Sequence, residues 1–153
     1  MKVLYTVVVI AALFIFPENN YCQVAWKTFD HKNGFSIRLP SYFSEGLLVA
    51  AGSLQYFDNS KDSSIELSVE TFGNGSVEEL NESYQSDLQH YSGITYKINK
   101  VTWYVVSGQN EDGVFYNKSI IRNGVQHHLR ITYPVNDKPF FDSIVSQISS
   151  SFK

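Results

Sequence analysis

Two segments of this chain alternate apolar and polar residues with a period of two. Phe35, Ile37 and Leu39 are separated by Ser36 and Arg38, and Ile65, Leu67 and Val69 by Glu66 and Ser68. Successive side chains of a strand point to opposite faces, so each segment is predicted to be a half-buried strand. Glu66 and Glu70 then share a polar face directed at solvent. Residues 26–30 form a shorter strand, turned into the first of these by His31-Lys32-Asn33-Gly34, and Pro40 closes it. A bend is expected at 41–45. Residues 47–57 are mostly apolar and give way to polar residues at 58–62, which predicts one strand and a loop.

After Gly73-Asn74-Gly75 the period lengthens. Val77, Leu80, Tyr84, Leu88 and Tyr91 recur at intervals of three and four, which marks a helix burying one stripe and leaving Glu78, Glu82 and Asp87 toward solvent. Ser76-Val77-Glu78-Glu79 has the form of a capping box, in which the serine oxygen takes an orphan backbone N–H and the glutamate reaches back. Gly93 closes the helix. Three or four strands are predicted next, at 95–100, 101–107, 114–122 and 125–133. Asn123-Gly124 suits a type I′ hairpin turn, whose two central residues need positive φ, and Glu111-Asp112-Gly113 joins the preceding pair. From residue 136 onward Phe141, Ile144, Val145, Ile148 and Phe152 share one face of a terminal helix, with Pro139 near its start. Hairpins make an antiparallel sheet, and two amphipathic helices need apolar sheet surface to cover, so the class is α+β.

The first 22 residues read differently from all of this. Lys2 and the amino terminus supply positive charge, Val3 to Phe16 form an apolar run, and Pro17-Glu18-Asn19-Asn20 break it. The run is shorter than the roughly 20 residues that span a bilayer and suits a cleavable signal peptide. Residues 1–22 are therefore assigned as leader and 23–153 as one α+β domain, with no membrane span once the leader is gone. Cys22 is the chain's one cysteine. Asn19, Asn20 and Tyr21 before it do not make a lipobox, and cleavage after Cys22 leaves a mature protein without disulfides.

Composition adds little, but charge changes the picture. The chain has a net charge of −3, with 43% hydrophobic and 18% charged residues, as a folded protein with a weakly charged surface would have. Its acids are unevenly placed. Asp58, Asp62, Glu66, Glu70, Glu78, Glu79, Glu82 and Asp87 fall within one stretch that holds a single base, Lys61. Such a stretch repels phosphate backbones, which argues against nucleic acid and admits a basic protein surface or a cation as partner. Glu66, Glu70, Glu78 and Glu82 are the candidate partner-binding residues.

No constellation in the chain names a reaction. His127 and His128 are adjacent, but neighbours on a strand face opposite ways. His127 shares its face with Leu129, Ile131 and Tyr133 and is expected in the core; His128, with Gln126 and Arg130, is expected at the surface. Asp58-Asn59-Ser60-Lys61-Asp62 lacks the glycine and glutamate of a calcium loop, having Ser63 and Val69 in their places. No Gly-x-Ser-x-Gly elbow or phosphate-binding glycine loop occurs. Catalytic residues, metal ligands and cofactors are therefore not assigned. Trp103, Tyr104, Phe115 and Tyr116 lie on neighbouring strands and cannot all face one way. Some line the sheet's second face, under the terminal helix or as an open aromatic surface. Trp103, Tyr104, His128 and Arg130 are the candidate ligand-binding set.

With these segments laid out, the chain resembles the PsbP-like superfamily across nearly all of residues 23–153. "NGFSIRLPSYF" after an opening strand is similar to that family's early hairpin. "TWYVVSGQNEDGVFYNKSIIRNG" and "LRITYP" before a final amphipathic helix are similar to its late meander. The resemblance implies an α/β/α sandwich with a central antiparallel sheet flanked by helices. It also implies work by binding, as for the family's extrinsic photosystem II subunit, its Ran-binding nuclear import factor and its DcrB-type bacterial envelope proteins. The chain departs from the first in lacking a basic amino-terminal extension and from the envelope lipoproteins in lacking a lipobox. The expectation is a bacterial exported protein, periplasmic or secreted, acting as a non-enzymatic binding or accessory module for another envelope protein. The alternative is a small-ligand or metal-ion binder using the aromatic sheet face, and behind it a hydrolase.

Overall fold

The computed structural model describes residues 24–153, so the leader, Cys22 and Gln23 lie outside the described residues. The chain forms β1 (Trp26–Asp30), β2 (Ser36–Pro40), β3 (Phe43–Val49), β4 (Leu54–Asn59), β5 (Glu66–Phe72), α1 (Val77–His90), β6 (Ile94–Asn99), β7 (Trp103–Asn110), β8 (Gly113–Arg122), β9 (Val125–Tyr133) and α2 (Lys138–Ser151). Seven strands make one sheet in the order β3-β4-β5-β9-β8-β7-β6, every neighbour antiparallel. β1 and β2 pair as a separate hairpin.

The alternation read from the sequence sorts side chains between two faces. Phe57, Leu67, Val69, Leu129 and Ile131 meet Phe35, Ile37 and Leu39 of the hairpin segment and Phe141, Ile144, Val145 and Ile148 of α2 in one cluster. Each such side chain, fully buried, contributes about 1.5–3 kcal/mol relative to exposure. The hairpin is tied to the end of the chain by reciprocal Ser36–Lys153 backbone bonds of 2.7 and 3.1 Å. On the other face Leu80 of α1 packs on Tyr104, Val106 and Phe115, flanked by Tyr84, Leu88 and Tyr91. The three layers are α1, the sheet, and α2 with the hairpin. This is the α/β/α arrangement expected.

Local signals account for much of the outline. Ser76 Oγ accepts from the Glu79 N–H at 3.1 Å while the Ser76 N–H donates to Glu79 at 3.3 Å, completing the capping box. Asn123 and Gly124 adopt φ of 53° and 72°, as the type I′ turn requires. Three details differ from expectation. Residues 43–59 form two strands where a bend and one strand were expected. They turn at Ala50 and Ala51, both at positive φ, and Ser53 closes the turn through Ala50 O at 2.8 Å; left-handed alanines carry no sequence signal. Val77 is exposed, because α1 makes contact from Leu80 onward. Asp87 is buried rather than outward. Leu80, Tyr84, Asp87 and Tyr91 follow one another at intervals of four, three and four, so geometry places the carboxylate on the sheet-facing stripe despite its charge.

Candidate functional site

Asp87 meets a patch of polar residues on the sheet. On β8, Asn117 and Ser119 face α1 together with Phe115. On β9, Gln126, His128 and Arg130 face the same way, paired in register with Ile121, Ser119 and Asn117. β7 contributes Tyr104, opposite Ser119. α1 covers most of this patch, so Asp87, Asn117, Ser119, Gln126 and His128 are all buried. The expectation that His128 lies at the surface is thus corrected: both faces of β9 are covered, His127 by the α2-side core and His128 by α1.

The buried groups bond to one another. The Tyr104 hydroxyl donates to Asp87 Oδ2 at 3.0 Å, and Asn117 Nδ2 donates to the same oxygen at 3.5 Å. Gln126 Nε2 donates to Ser83 Oγ and Ser119 Oγ at 3.0 and 3.3 Å. Ser119 Oγ lies 2.8 Å from His128 Nδ1, and Tyr104 Oη lies 3.3 Å from it. The Tyr104 proton is committed to Asp87. Between Ser119 Oγ and His128 Nδ1 either atom can donate: the ring proton sits on Nε2 when Ser119 donates and on Nδ1 when Ser119 accepts. Nε2 has no partner, nor does Asn117 Oδ1. A buried polar group left unpaired costs about 1–3 kcal/mol, so each orphan asks for a water or a ligand.

Burial sets the protonation states. It drives His128 down to about 3, with Arg130 adding to the effect, so the ring is neutral at physiological pH. Burial also raises Asp87 above the usual carboxylate range, opposed by the Tyr104 bond and by Arg130. Tyr104 is pushed far up by burial and by Asp87 and stays a hydroxyl. Ser119 beside His128 is not a nucleophile poised for attack. It is fully buried, and its oxygen is already held by Gln126.

At the edge of α1 the patch opens to solvent. A cleft of about 390 Å³ is walled by Glu82, Ser83, Ser86 and Asp87 of α1 and by Glu70 and Phe72 of β5, with Tyr104, His128 and Arg130 completing it. Glu70 pairs directly with His128, and Ser68 with Arg130. The structure therefore brings together Glu70 and Glu82 of the acidic set and Tyr104, His128 and Arg130 of the ligand set. Glu66 lies further along the same face of β5, and Glu78 one turn before Glu82 on α1; both are exposed and outside the cleft. Trp103 is separated from the others, because it neighbours Tyr104 on a strand and points to the opposite face. There it lines a groove of about 520 Å³ beside α2, with Tyr116, Ile120, Phe152 and Lys118. Lys118 is engaged in that groove, donating to the Ser149 carbonyl at 2.6 Å. Among the described residues no three His, Cys, Asp or Glu side chains converge as metal ligands.

Asp87, Ser83, Asn117, Ser119 and Gln126 were not anticipated as site residues. The available signal was the polar run Asn117, Ser119 on a strand face next to apolar Phe115, set opposite Gln126, His128 and Arg130. Polar groups on a face that a helix covers must find partners there.

No protein-family model matches the chain, and no curated protein matches it. Solved structures do. The fold is PsbP-like, with α/β/α architecture. The solution structure of cyanobacterial PsbP (CyanoP) from Synechocystis sp. PCC 6803 superposes with a TM-score of 0.62 at 10% identity, covering 91% of this chain and 98% of that one. A crystal structure from Bacteroides thetaiotaomicron gives a TM-score of 0.56 at 14% identity, covering 83% of this chain and 47% of that chain.

Proposed function

We propose that this chain is an exported, non-enzymatic binding module of the cell envelope, working through the cleft at the edge of α1 and its acidic rim. One observation carries this reading. Glu66 and Glu70 on β5 and Glu78 and Glu82 on α1 present carboxylates from two elements at one side of the molecule. Among the described residues the one salt bridge lies elsewhere, between Lys138 and Asp142. Surface acids left unneutralised raise a negative potential that steers and docks a basic partner. The leader-like residues 1–22 support export, and the fold shared with CyanoP is compatible with an accessory role. No helix of the described residues is long and apolar enough to cross a membrane.

Replacing Glu66, Glu70 and Glu82 together by lysine tests the rim. Wild-type protein is expected to capture a partner from envelope extract, and the triple variant to lose it; undiminished capture overturns the docking surface. Export has its own test. Alkaline phosphatase fused after Lys153 is expected to be active outside the cytoplasm, and an inactive, cytoplasmic fusion refutes the assignment.

A further inference from the structure

The groove beside α2 combines an aromatic wall with charge of one sign. α2 packs on β2 and β8, and the sheet continues past it to β7 and the edge strand β6. Across β7 and β8, Trp103 pairs with Ile120, Val105 with Lys118 and Ser107 with Tyr116; Tyr96 of β6 pairs with Ser107. Paired residues share a face, and Ile120 places this one on the α2 side, since it belongs to the core cluster there. A sheet face left to solvent is ordinarily polar. This one carries Tyr96, 53% exposed, and the half-buried Trp103 and Tyr116. The groove they line, of about 520 Å³, falls in the range of small-molecule sites, roughly 300–1,000 Å³.

The charges of the groove are basic. Lys118, Arg122 and Lys153 line it, and no Asp or Glu side chain does. Among the described residues none of the three takes part in a salt bridge. Lys118 donates to two carbonyls at the end of α2, Ser149 at 2.6 Å and Phe152 at 3.5 Å, so its ammonium is hydrogen-bonded while its charge is unmatched. The terminal carboxylate of Lys153 accepts from the Ser36 N–H of β2 at 2.7 Å and lies within salt-bridge distance of none of the three. Burial pulls Lys118 below the usual lysine range, because its ammonium is kept from water with neutral acceptors beside it. An anion in the groove relieves that penalty, and flat rings on Trp103, Tyr96 and Tyr116 favour a flat apolar body.

We propose that this groove binds a small anion of the arylcarboxylate class, its ring against Trp103 and Tyr116 and its carboxylate toward Lys118 and Arg122. The assignment is independent of the acidic rim, which lies on the α1 face of the sheet. It draws a ligand opposite in charge to the partner proposed there.

Three probes that share one ring system isolate the charge: 2-naphthoate, 2-naphthamide and 2-naphthylmethylamine, titrated by calorimetry against the mature chain, residues 23–153. 2-Naphthoate is expected to bind saturably. The neutral amide should bind at least about tenfold more weakly, as the loss of one charge-assisted contact implies, and the amine more weakly still. Lys118→Met keeps the alkyl stem and removes the charge. It is expected to bring naphthoate affinity down to that of naphthamide and to leave naphthamide unchanged. Because it also removes the bonds to α2, Arg122→Gln at an exposed position is the second variant, expected to weaken naphthoate at least about threefold with naphthamide again unchanged. The chain has two tryptophans, Trp26 and Trp103, hence two indole N–H resonances; naphthoate should move that of Trp103 and leave that of Trp26. No saturation up to about 10 mM, naphthamide binding as tightly as naphthoate, a shift at Trp26 alone, or naphthoate affinity indifferent to Arg122→Gln each overturns the proposal. The docking reading stands or falls separately, by capture with lysine at Glu66, Glu70 and Glu82.

Discussion

Lowering the pH from 7 to 5 should cost this fold about 4 kcal/mol through two histidines alone, whose folded and unfolded pKa values differ. His127 and His128 are adjacent on β9 and buried on opposite faces. Burial, with Arg122 and His31 acting on the first and Arg130 on the second, brings them to about 4 and about 3 from an ordinary 6.5. Both folded-state values lie below the unfolded value. Between pH 6.5 and 4 the unfolded chain thus binds protons that the native state refuses. Their stabilisation is complete above 6.5 and is lost as the pH falls. Each histidine contributes about 1.4 kcal/mol per pH unit inside that window, or close to 2 kcal/mol between pH 7 and 5. Asp87 works in the opposite sense, because its raised value lets the native state take a proton first. The informative quantity is accordingly a difference between proteins. Urea unfolding followed by tryptophan fluorescence at pH 7 and 5 gives the loss for wild type, for His127→Gln and for the His127→Gln/His128→Gln pair. The single variant should remove about half of the pH-dependent loss and the pair nearly all of it. If the pair loses as much stability on acidification as wild type, neither histidine is excluded from water as described.

Two further outcomes test local devices. Ser76→Ala removes the side-chain half of the capping box and should destabilise the protein by about 1 kcal/mol, with Ser76→Asp restoring most of it, both read from urea midpoints. Gly93 ends the α1 turn at φ 71°, and a Cβ there would fall on the Gln109 carbonyl oxygen. Gly93→Ala should cost roughly 1–3 kcal/mol, and an unchanged unfolding midpoint would show that β6 and β7 separate easily at that end.

The elements were legible because their signals are local. Alternation at 35–39 and 65–69, the capping box at Ser76 and Glu79, and Asn123-Gly124 each depend on a few neighbouring residues, so the hairpins, α1 and the α+β class follow from short windows of sequence. The turn at Ala50 and Ala51 was not legible, since alanine ordinarily avoids positive φ and it is held there by the pairing of β3 with β4 and by Ser53 on the Ala50 carbonyl.

The site divides in the same way. Sequence alone determined that Glu66 and Glu70 share a face, that His127 and His128 part to opposite faces, and that Trp103 and Tyr104 cannot lie side by side; a strand's period of two suffices for each. Which of those faces is wet was beyond its reach. Where α1 rests decides that Asp87 and His128 are buried, that Arg130 stays at the rim, and that Glu82 comes to stand over the strand bearing Glu70. Helix placement follows from side chains distant in sequence, Leu80 on Tyr104 and Phe115 above all. The cleft is thus a product of packing: periodicity supplied its residues, and only the tertiary structure set them around one space.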